Sequence, residues 1–535
     1  MPGFGGAMAE AVSIPFSPGA LCPADFHPLA PVTDSSPAEV AAAVRAARSA
    51  QPAWAALPAS ERERRVLLIC RRLLEQRAPG VRVLSEETGR GETECLMSEL
   101  VGALEIGKAA VRVSRNALAR EKATLSRLDY PGKRAYIEAL PRGVVGIIAP
   151  WNYPVGIFLK SLLPALLAGN GVVLKPSEHS PRSGQWLGGI CAQVLPAGLV
   201  QVVCGGGAIG AALLESGVDG IVFTGSVASG RKVSARAGEL LIPCSAELGG
   251  KDAAIVLADC DLERTVAGVA QWGFHNAGQN CAAIERVYVE DAIADAFVER
   301  LARVTGKLRV APAPSAEPIA ELQPTDLGPM QNPMQLAIVE EHVKDALARG
   351  AQLLAGGART GRGLGYQPTL LDRCTQEMKV VRDETFGPVL AIVRVANAEE
   401  ALRLANDSRY GLNGSVWTRD LKRGEALARR MEVGVALVNN HAVTGILAEL
   451  PWTGVKESGP GIASSRYAYG TFVRRRAVLV DGSSKPDPWW MPGNADLKAF
   501  GDALVDRQLN GGVTVLLKLG GLVGKRIKAI KELAR

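Results

Sequence analysis

Cys281 differs from the other eight cysteines of this chain in its sequence surroundings. It ends the stretch Asn276–Cys281, in which a glycine and amide side chains predict an accessible loop before a strand. A thiolate is a strong nucleophile, so a cysteine open to a ligand is a candidate for covalent catalysis. In isolation such a cysteine is more often a packing residue, as Cys191 in its apolar run is predicted to be. The five histidines lie in no papain-like signature, so a Cys–His hydrolase is poorly supported.

Glu247 is a second candidate because it stands beside a pair of glycines in Glu247–Lys251. A carboxylate in such a segment can face a cleft and act as a general base. The alternative for this residue in isolation is a surface glutamate at a domain joint.

Two strand ends carry residues that suit a dinucleotide. Phe223–Ser226 closes one predicted strand, and its glycine would let the backbone approach a pyrophosphate at a helix N-terminus. Lys175–Glu178 closes another, where a carboxylate can accept hydrogen bonds from ribose hydroxyls. Neither stretch is a G-x-G-x-x-G motif, and each alone also fits a polar strand-end turn.

Seven motifs stand in one order along the chain: Ala149–Pro154, Lys175–Glu178, Phe223–Ser226, Glu247–Lys251, Gly278–Cys281, Glu384–Pro388 and Pro451–Gly459. Each motif alone is modest evidence, but the ordered set resembles the aldehyde dehydrogenase superfamily. The resemblance covers Pro31 to Val480.

The resemblance implies a covalent oxidation of an aldehyde to a carboxylic acid with reduction of NAD(P). Cys281 would form a thiohemiacetal and then a thioester. The Asn152 amide and the Cys281 backbone N–H would stabilise the oxyanion, and Glu247 would activate the hydrolytic water. No metal is implied. The presence of Glu247 disfavours a coenzyme-A-acylating relative, and the intact catalytic set disfavours a scaffolding protein with vestigial machinery.

The resemblance also implies a cofactor site. The expected cofactor-binding residues are Ile148, Pro150, Trp151, Lys175, Ser177, Glu178, Gly206, Gly210, Phe223, Thr224, Gly225, Ser226, Leu248, Glu384 and Phe386. Because Glu178 should repel a 2′-phosphate, NAD is favoured, with NADP as the alternative.

Departures from the family pattern concern the substrate side. The usual Pro-Phe-Gly-Gly is here Pro451–Gly454, with tryptophan in place of phenylalanine and threonine in place of the first glycine. The stretch Pro460–Ser465 lacks the acidic residue that serves many members as a proton-relay partner. The bulky residues Trp452, Tyr153, Val155 and Phe158 point to an apolar aldehyde, but such residues are as often core packing.

The elements that must hold these residues alternate between apolar strands and helices about every 25 residues from Gly143 onward, which predicts an α/β fold with parallel sheets. We expect a Rossmann-like cofactor domain and an α/β catalytic domain, joined by a β-hairpin element used in oligomerisation. The expected division is 1–122 and 143–249 for the cofactor domain, 250–460 for the catalytic domain, 123–142 and 461–481 for the bridging segments, and 482–535 for a C-terminal extension.

Composition excludes several other classes. The net charge of +7 is modest and predicts no nucleic-acid surface. The cysteines form no C-x-x-C pair, which argues against a zinc site or a disulfide framework and favours a cytoplasmic protein. The first 15 residues do not resemble a signal peptide. A homodimer or homotetramer is expected from the resemblance.

The extension from Gly482 carries nine Lys or Arg against five Asp or Glu, and its last part has apolar residues on one helical face. Three alternatives stay open for it: packing across a partner subunit or the substrate tunnel, peripheral contact with an anionic membrane, or disorder. Gly520, Gly521 and Gly524 weaken the prediction of a terminal helix.

Overall fold

The protein is described by a computed structural model that covers residues 18–127, 129–310, 325–361 and 363–535. The chain forms two compact units. The first comprises Met1–Ala119 and Leu140–Arg474, and the second Arg120–Ala139 and Arg475–Arg535. The expected division into a cofactor domain and a catalytic domain stays a prediction.

The helices and strands alternate through most of the chain. The helices are α1 Pro37–Ala56, α2 Ala59–Glu75, α3 Arg77–Thr88, α4 Glu92–Cys95, α5 Ala103–Ala117, α6 Gly156–Leu167, α7 Pro181–Ala192, α8 Gly207–Glu215, α9 Val227–Glu239, α10 Leu262–Phe274, α11 Asp291–Thr305, α12 Pro333–Ala348, α13 Lys379–Arg382, α14 Ala398–Asn406, α15 Leu421–Ala428, α16 Tyr469–Phe472, α17 Ala495–Asn510 and α18 Val513–Leu533. The strands are β1 Glu121–Ala123, β2 Lys133–Pro141, β3 Val144–Ile148, β4 Gly171–Lys175, β5 Val200–Val202, β6 Gly220–Thr224, β7 Cys244–Glu247, β8 Asp252–Val256, β9 Ile284–Glu290, β10 Gln352–Ala355, β11 Thr369–Asp372, β12 Val389–Val395, β13 Tyr410–Gly411, β14 Asn413–Trp417, β15 Val435–Val438, β16 Trp452–Thr453, β17 Val455–Lys456, β18 Ile462–Ala463 and β19 Val473–Asp481.

Helix α1 begins where the local sequence dictates. Ser36 accepts a hydrogen bond from the Glu39 backbone N–H, and the Glu39 carboxylate accepts one from the Ser36 backbone N–H, with Pro37 in the first turn. This capping box pairs N–H groups that a helix N-terminus otherwise leaves open.

The first sheet has the order β5-β4-β3-β6-β7, with every strand parallel to its neighbours. The chain leaves β3 toward β4 and β5 on one side and returns to β6 and β7 on the other. Ligands of doubly wound sheets bind at the carboxyl ends of the strands, where the order reverses. In this sheet that position lies between β3 and β6.

The second sheet has the order β10-β11-β12-β9-β8-β14-β15, and only the β10–β11 pair is antiparallel among its pairs. Two clusters of buried apolar side chains lie against this sheet, and its central strands are buried on both faces. The α/β class with parallel sheets, predicted from the alternation, is confirmed.

The second unit contains a three-stranded sheet of order β1-β2-β19 and the two terminal helices. The turn between β1 and β2 makes an antiparallel pair, with Glu121 opposite Ile137. Helix α18 continues through Gly520, Gly521 and Gly524, so tertiary packing overrides the low helix propensity of glycine there.

Candidate active site

The loop that carries Cys281 has an unusual backbone. Asn276, Ala277 and Gly278 have φ angles of 55°, 52° and 69°. A Cβ at Gly278 would lie 2.0 Å from the carbonyl oxygen of Gly387, so only glycine fits at this crossing. Left-handed conformations at two consecutive non-glycine residues are costly and cluster at functional sites.

Cys281 itself is half-buried beside an apolar cluster that includes Ala282, Leu412 and Trp452. Its Sγ lies 3.8 Å from Oδ1 of Asn280. Burial raises the pKa of the Cys281 thiol to about 12, and the charge of Lys160 opposes that rise. The resting thiol is therefore protonated at neutral pH.

Asn152 is buried and tied to the same loop. Its Nδ2 donates a hydrogen bond of 3.1 Å to the carbonyl oxygen of Gln279, and Nδ2 of Asn276 donates one of 2.9 Å to the Asn152 carbonyl oxygen. An amide nitrogen carries two N–H groups. The hydrogen bond to Gln279, which lies two residues before Cys281 in the chain, uses one of them. The other N–H is left to donate to a ligand.

Glu247 ends β7 and is buried. Burial raises the pKa of its carboxyl to about 7, against the favourable charge of Lys160. A carboxyl with that pKa can accept a proton near neutral pH, which a general base needs. The backbone after it approaches the nucleophile loop, since a Cβ at Gly250 would lie 2.5 Å from the carbonyl oxygen of Cys281.

Lys160 is a residue that the sequence patterns did not single out. It lies in α6, is half-buried, and holds its Nζ 5.3 Å from the centroid of the Trp452 ring. Trp452 on β16 pairs with Ala463 on β18. Two residues before Ala463, Gly461 donates its N–H to the carbonyl oxygen of Ala246 at 2.9 Å, next to Glu247. Lys160 thus reaches the space next to both Cys281 and Glu247. A single lysine in the apolar helix sequence of α6 was the available signal.

The strand ends of the first sheet bring the expected cofactor residues to one edge. Ile148 pairs with Lys175 on one side and with Phe223 on the other, and Thr224 pairs with Glu247. Pro150 and Trp151 follow β3 directly. This edge is the position where the strand order reverses.

Glycines open the helix N-termini above this edge. Gly206 precedes α8 and has no atom within 4 Å of where its Cβ would be, while a Cβ at Gly210 would lie 3.6 Å from Cδ1 of Ile148. Ser226 caps α9 and accepts a hydrogen bond of 3.3 Å from Ser229. A Cβ at Gly230 would lie 2.2 Å from Cδ2 of Leu248, so Leu248 packs closely on α9. Open helix N-termini of this kind suit phosphate groups.

The end of β4 carries a charged cluster. Nζ of the buried Lys175 lies 3.7 Å from Oε2 of Glu178, and Ser177 donates a hydrogen bond of 3.4 Å to the same oxygen. Burial pushes the Glu178 pKa upward, but a backbone hydrogen bond and Lys175 outweigh it and lower the pKa. Glu178 is therefore an anion at neutral pH, with acceptor oxygens open to a ligand.

Glu384 and Phe386 lie in a segment that a buried ion pair holds. Glu285 accepts hydrogen bonds of 2.8 Å and 2.9 Å from the backbone N–H groups of Thr385 and Phe386, and its other contact is the buried Nζ of Lys251. Oε1 of Glu384 accepts a hydrogen bond of 3.1 Å from Gly250. Sequence reasoning missed Glu285, because nothing nearby in the sequence shows what it contacts.

Aromatic contacts join the same segment to the end of β3. The Phe386 ring packs edge-on against Trp151 with centroids 5.5 Å apart, although the Phe386 backbone has a φ angle of 48°. Burial raises the pKa of Glu384 to about 8. The ring contact places Phe386 beside the turn that follows β3.

The four bulky residues expected on the substrate side separate into two groups. Val155 and Phe158 are fully buried, and Trp452 is buried beside Cys281. Tyr153 is half-buried and its hydroxyl lies 2.9 Å from Nδ1 of His275. Burial lowers the pKa of His275 to about 4, so this histidine is neutral at physiological pH.

Within the described part of the chain, one group of potential metal ligands lies elsewhere, in the turn Cys22–His27. The ligand atoms of Cys22, Asp25 and His27 lie within 4.8 Å of one another. Nδ1 of His27 and Oδ1 of Asp25 are 2.6 Å apart, so an ordinary hydrogen bond accounts for their proximity.

Comparison with known proteins agrees with this geometry. Residues 19–478 match the sequence profile of the aldehyde dehydrogenase family. A Methylomonas protein named 4,4'-diapolycopene aldehyde oxidase is 36% identical over 478 residues, which span 89% of this chain and 88% of that protein.

Two solved structures extend the comparison to the fold. A Mycobacterium tuberculosis aldehyde dehydrogenase complexed with NAD+ is 33% identical with a TM-score of 0.80, over 87% of this chain and 95% of that one. An Escherichia coli protein described as an NADP-dependent enzyme is 30% identical with a TM-score of 0.80, over 86% and 94%.

Proposed function

The chain belongs to the aldehyde dehydrogenase family, and we propose that it oxidises its aldehyde through a covalent intermediate on Cys281. The family assignment makes it an NAD(P)-dependent enzyme that converts an aldehyde to a carboxylic acid. The observation that carries the mechanism is the meeting of the Cys281 loop, the Asn152 amide and the Glu247 carboxyl.

In the first half-reaction, Sγ of Cys281 forms a bond to the aldehyde carbon as the S–H bond breaks and its proton passes to a water molecule, and the carbonyl π electrons move to oxygen. The second N–H of Asn152 and the backbone N–H of Cys281 stabilise the resulting oxyanion. A bound NAD(P) would supply the oxidant, as the acceptor of the hydride that leaves the former aldehyde carbon. Cys281 then carries a thioester, whose carbonyl oxygen the same two donors hold.

In the second half-reaction, Glu247 takes a proton from a water molecule as the water oxygen adds to the thioester carbon. The carbon–sulfur bond breaks, the sulfur leaves as a thiolate, and the acid is released. The pKa of about 7 suits Glu247 to this role, because the carboxylate is both populated and basic at neutral pH.

The residues at the sheet edge fit a dinucleotide. The open glycine positions Gly206 and Gly210 leave room above the β3 and β4 ends, and α9 offers a second helix N-terminus. Lys175 and Glu178 would hold the adenine ribose, and Glu384 with Phe386 the nicotinamide ribose. Because Glu178 is an anion, we infer a preference for NAD over NADP, which carries a 2′-phosphate.

The substrate proposal is an aldehyde with an apolar body. Trp452 beside Cys281 and the half-buried Tyr153 support it, as does the similarity to a protein named for a polyene aldehyde. We further propose a homo-oligomer in a reducing, cytoplasmic compartment, in keeping with nine free cysteines.

A panel of aldehydes of rising chain length, assayed for NADH and NADPH formation at 340 nm, tests the function. We expect turnover with NAD to exceed that with NADP, and Cys281→Ala to abolish it. Cys244→Ala is the matched control, since Cys244 is the other cysteine that is half-buried. Full activity in the Cys281→Ala protein would refute the mechanism.

A further inference from the structure

A buried ion pair contacts the turn that carries Asn152. Nη2 of Arg90 donates a hydrogen bond of 2.7 Å to Oε1 of Glu99, and the two side chains are 1% and 0% exposed. The same guanidinium donates from Nε to Thr88 and from Nη1 to Ser98, each at 3.1 Å. A charge pair taken out of water is costly unless further hydrogen bonds satisfy it, and these contacts supply them on the arginine side.

The second oxygen of Glu99 holds the start of α6. Oε2 accepts hydrogen bonds from the backbone N–H groups of Val155 at 3.2 Å and Gly156 at 2.8 Å. The first N–H groups of a helix have no partner inside the helix, and an anion is favoured at the positive end of its dipole. Glu99 therefore caps α6, although it precedes Val155 by 56 residues in the chain.

The backbone around Glu99 has an uncommon geometry. Residues Leu96–Leu100 form a single π-helical turn, and the N–H of Val101 donates a hydrogen bond of 3.0 Å to the carbonyl oxygen of Leu96. Such turns are rare and occur frequently at functional sites. Here the turn carries the residue that caps α6.

The segment between β3 and α6 joins this cap to the oxyanion site. Asn152 lies three residues before Val155, and two hydrogen bonds tie it to the loop Asn276–Cys281. Arg90 contacts the same segment, since its guanidinium carbon lies 5.8 Å from the centroid of the Tyr153 ring. Asn152 therefore lies in a short segment that is bonded both to the nucleophile loop and to the buried ion pair.

Building on the covalent mechanism proposed above, we propose that Arg90 and Glu99 are positioning residues for the Asn152 amide. Glu99 fixes the start of α6, and Arg90 fixes the Glu99 carboxylate. Together they hold the free N–H of Asn152 where the oxyanion forms. A donor stabilises an oxyanion only when it is preorganised about 3 Å from that oxygen, and a misplacement of about 1 Å can cost on the order of 100-fold in rate.

Substitution of the pair in two backgrounds tests the proposal. Arg90→Met with Glu99→Leu removes both charges together, so that neither is left buried alone. In the otherwise wild-type enzyme it should slow the first turnover of NADH formation, followed by stopped flow at saturating NAD and aldehyde, by about tenfold to 100-fold. Asn152→Ala should itself slow that turnover by about 10²- to 10³-fold. In the Asn152→Ala background the pair substitution should cost less than about twofold more, because the donor that it positions is already absent.

Three further measurements separate positioning from general packing. Arg90→Met with Glu99→Gln also removes the charges but keeps an amide oxygen that can accept from the start of α6, so most of the rate should return. Arg394→Met with Asp372→Leu removes another ion pair with a buried carboxylate, on β12 and β11, and should turn over as the wild type does. The affinity for NAD, measured by quenching of tryptophan fluorescence, should be the same in all of these variants.

Glu99→Asp provides a variant that keeps both buried charges. Its carboxylate is one methylene shorter and withdraws from α6, so its rate loss should also depend on the presence of Asn152. Equal fold-losses in the two backgrounds, an unchanged first turnover, or a loss that glutamine does not recover would overturn the role of the pair and leave the covalent mechanism standing. A wild-type first turnover in Asn152→Ala would instead overturn the proposed oxyanion donor and this inference together.

Discussion

Replacement of Glu247 by glutamine should inactivate the enzyme and make its fold more stable. Burial raises the pKa of this carboxyl from 4.5 to about 7. The folded chain therefore binds the proton more tightly than the unfolded chain, and folding loses stability as the pH rises above 4.5. The loss is complete above pH 7, where both states are ionised.

The magnitude follows from the two pKa values. Their difference corresponds to a stability cost of about 3 kcal/mol above pH 7, and to less than about 1 kcal/mol at pH 5. Glutamine has the shape of the carboxyl without its charge, so Glu247→Gln removes this cost. The gain should grow from near zero at pH 4.5 to its full value at pH 8.

Denaturant unfolding at several pH values, monitored by tryptophan fluorescence, measures the difference between the two proteins. Glu299→Gln is the matched control, because Glu299 is exposed and pairs with Arg303 on the same helix. For activity, hydrolysis of the thioester should slow by about 10²- to 10⁴-fold, the usual contribution of a general base. One equivalent of NADH per active site should then form in a burst, with an acyl adduct on Cys281 visible by mass spectrometry. Equal stability of both proteins at pH 8, or undiminished steady-state turnover, would refute the reasoning.

Three further predictions concern other parts of the site. Lys160→Met should shift the acid limb of the kcat–pH profile to higher pH, because that lysine lowers the Glu247 pKa. The shift should be about 1 pH unit, as expected for loss of one nearby charge at an effective dielectric of about 20. Lys160→Arg should restore the profile, and a profile that does not move would exclude the charge effect. Gly278→Ala should destroy activity because its Cβ would meet a carbonyl oxygen at 2.0 Å, whereas Gly238→Ala, at an open helical position, should leave activity intact. Glu178→Gln should raise kcat/KM for NADP by about tenfold, equivalent to relief of about 1.4 kcal/mol of repulsion; an unchanged ratio of NADP to NAD efficiency would contradict that role.

Local sequence signals predicted local structure well. The apolar strands from Gly143 onward depend on near neighbours in the chain, which is why their alternation alone predicted them. The Ser36 capping box likewise joins residues only three apart. Order among strands is different, because the reversal between β3 and β6 depends on how distant segments pair. The motif resemblance supplied what periodicity could not.

The residues that were missed act through contacts far along the chain. Glu285 holds a segment 100 residues away, and Lys160 meets Trp452 across nearly 300 residues. Val155 and Phe158 were expected near the substrate only because they are bulky, and the core claims such residues as readily as a pocket does. Burial of a particular side chain is decided by the packing of whole elements, so composition alone cannot assign it.

The source of the Cys281 thiolate can be narrowed from the charges around it. Transfer of a proton from a thiol with a pKa of about 12 to a carboxylate with a pKa of about 7 is uphill by about 7 kcal/mol. The Glu247 charge also raises the thiol pKa, so the base that serves hydrolysis opposes a preformed thiolate. The Lys160 charge favours the anionic form of both Cys281 and Glu247, but one cation cannot balance two anions. A site with this balance holds one negative charge at a time. With Glu247 protonated, the thiol gives its proton to a water molecule as the carbon–sulfur bond forms, and the negative charge then lies on an oxyanion that amide donors stabilise. Once the thioester has formed the sulfur is neutral, and Lys160 is then free to favour the Glu247 carboxylate that hydrolysis requires.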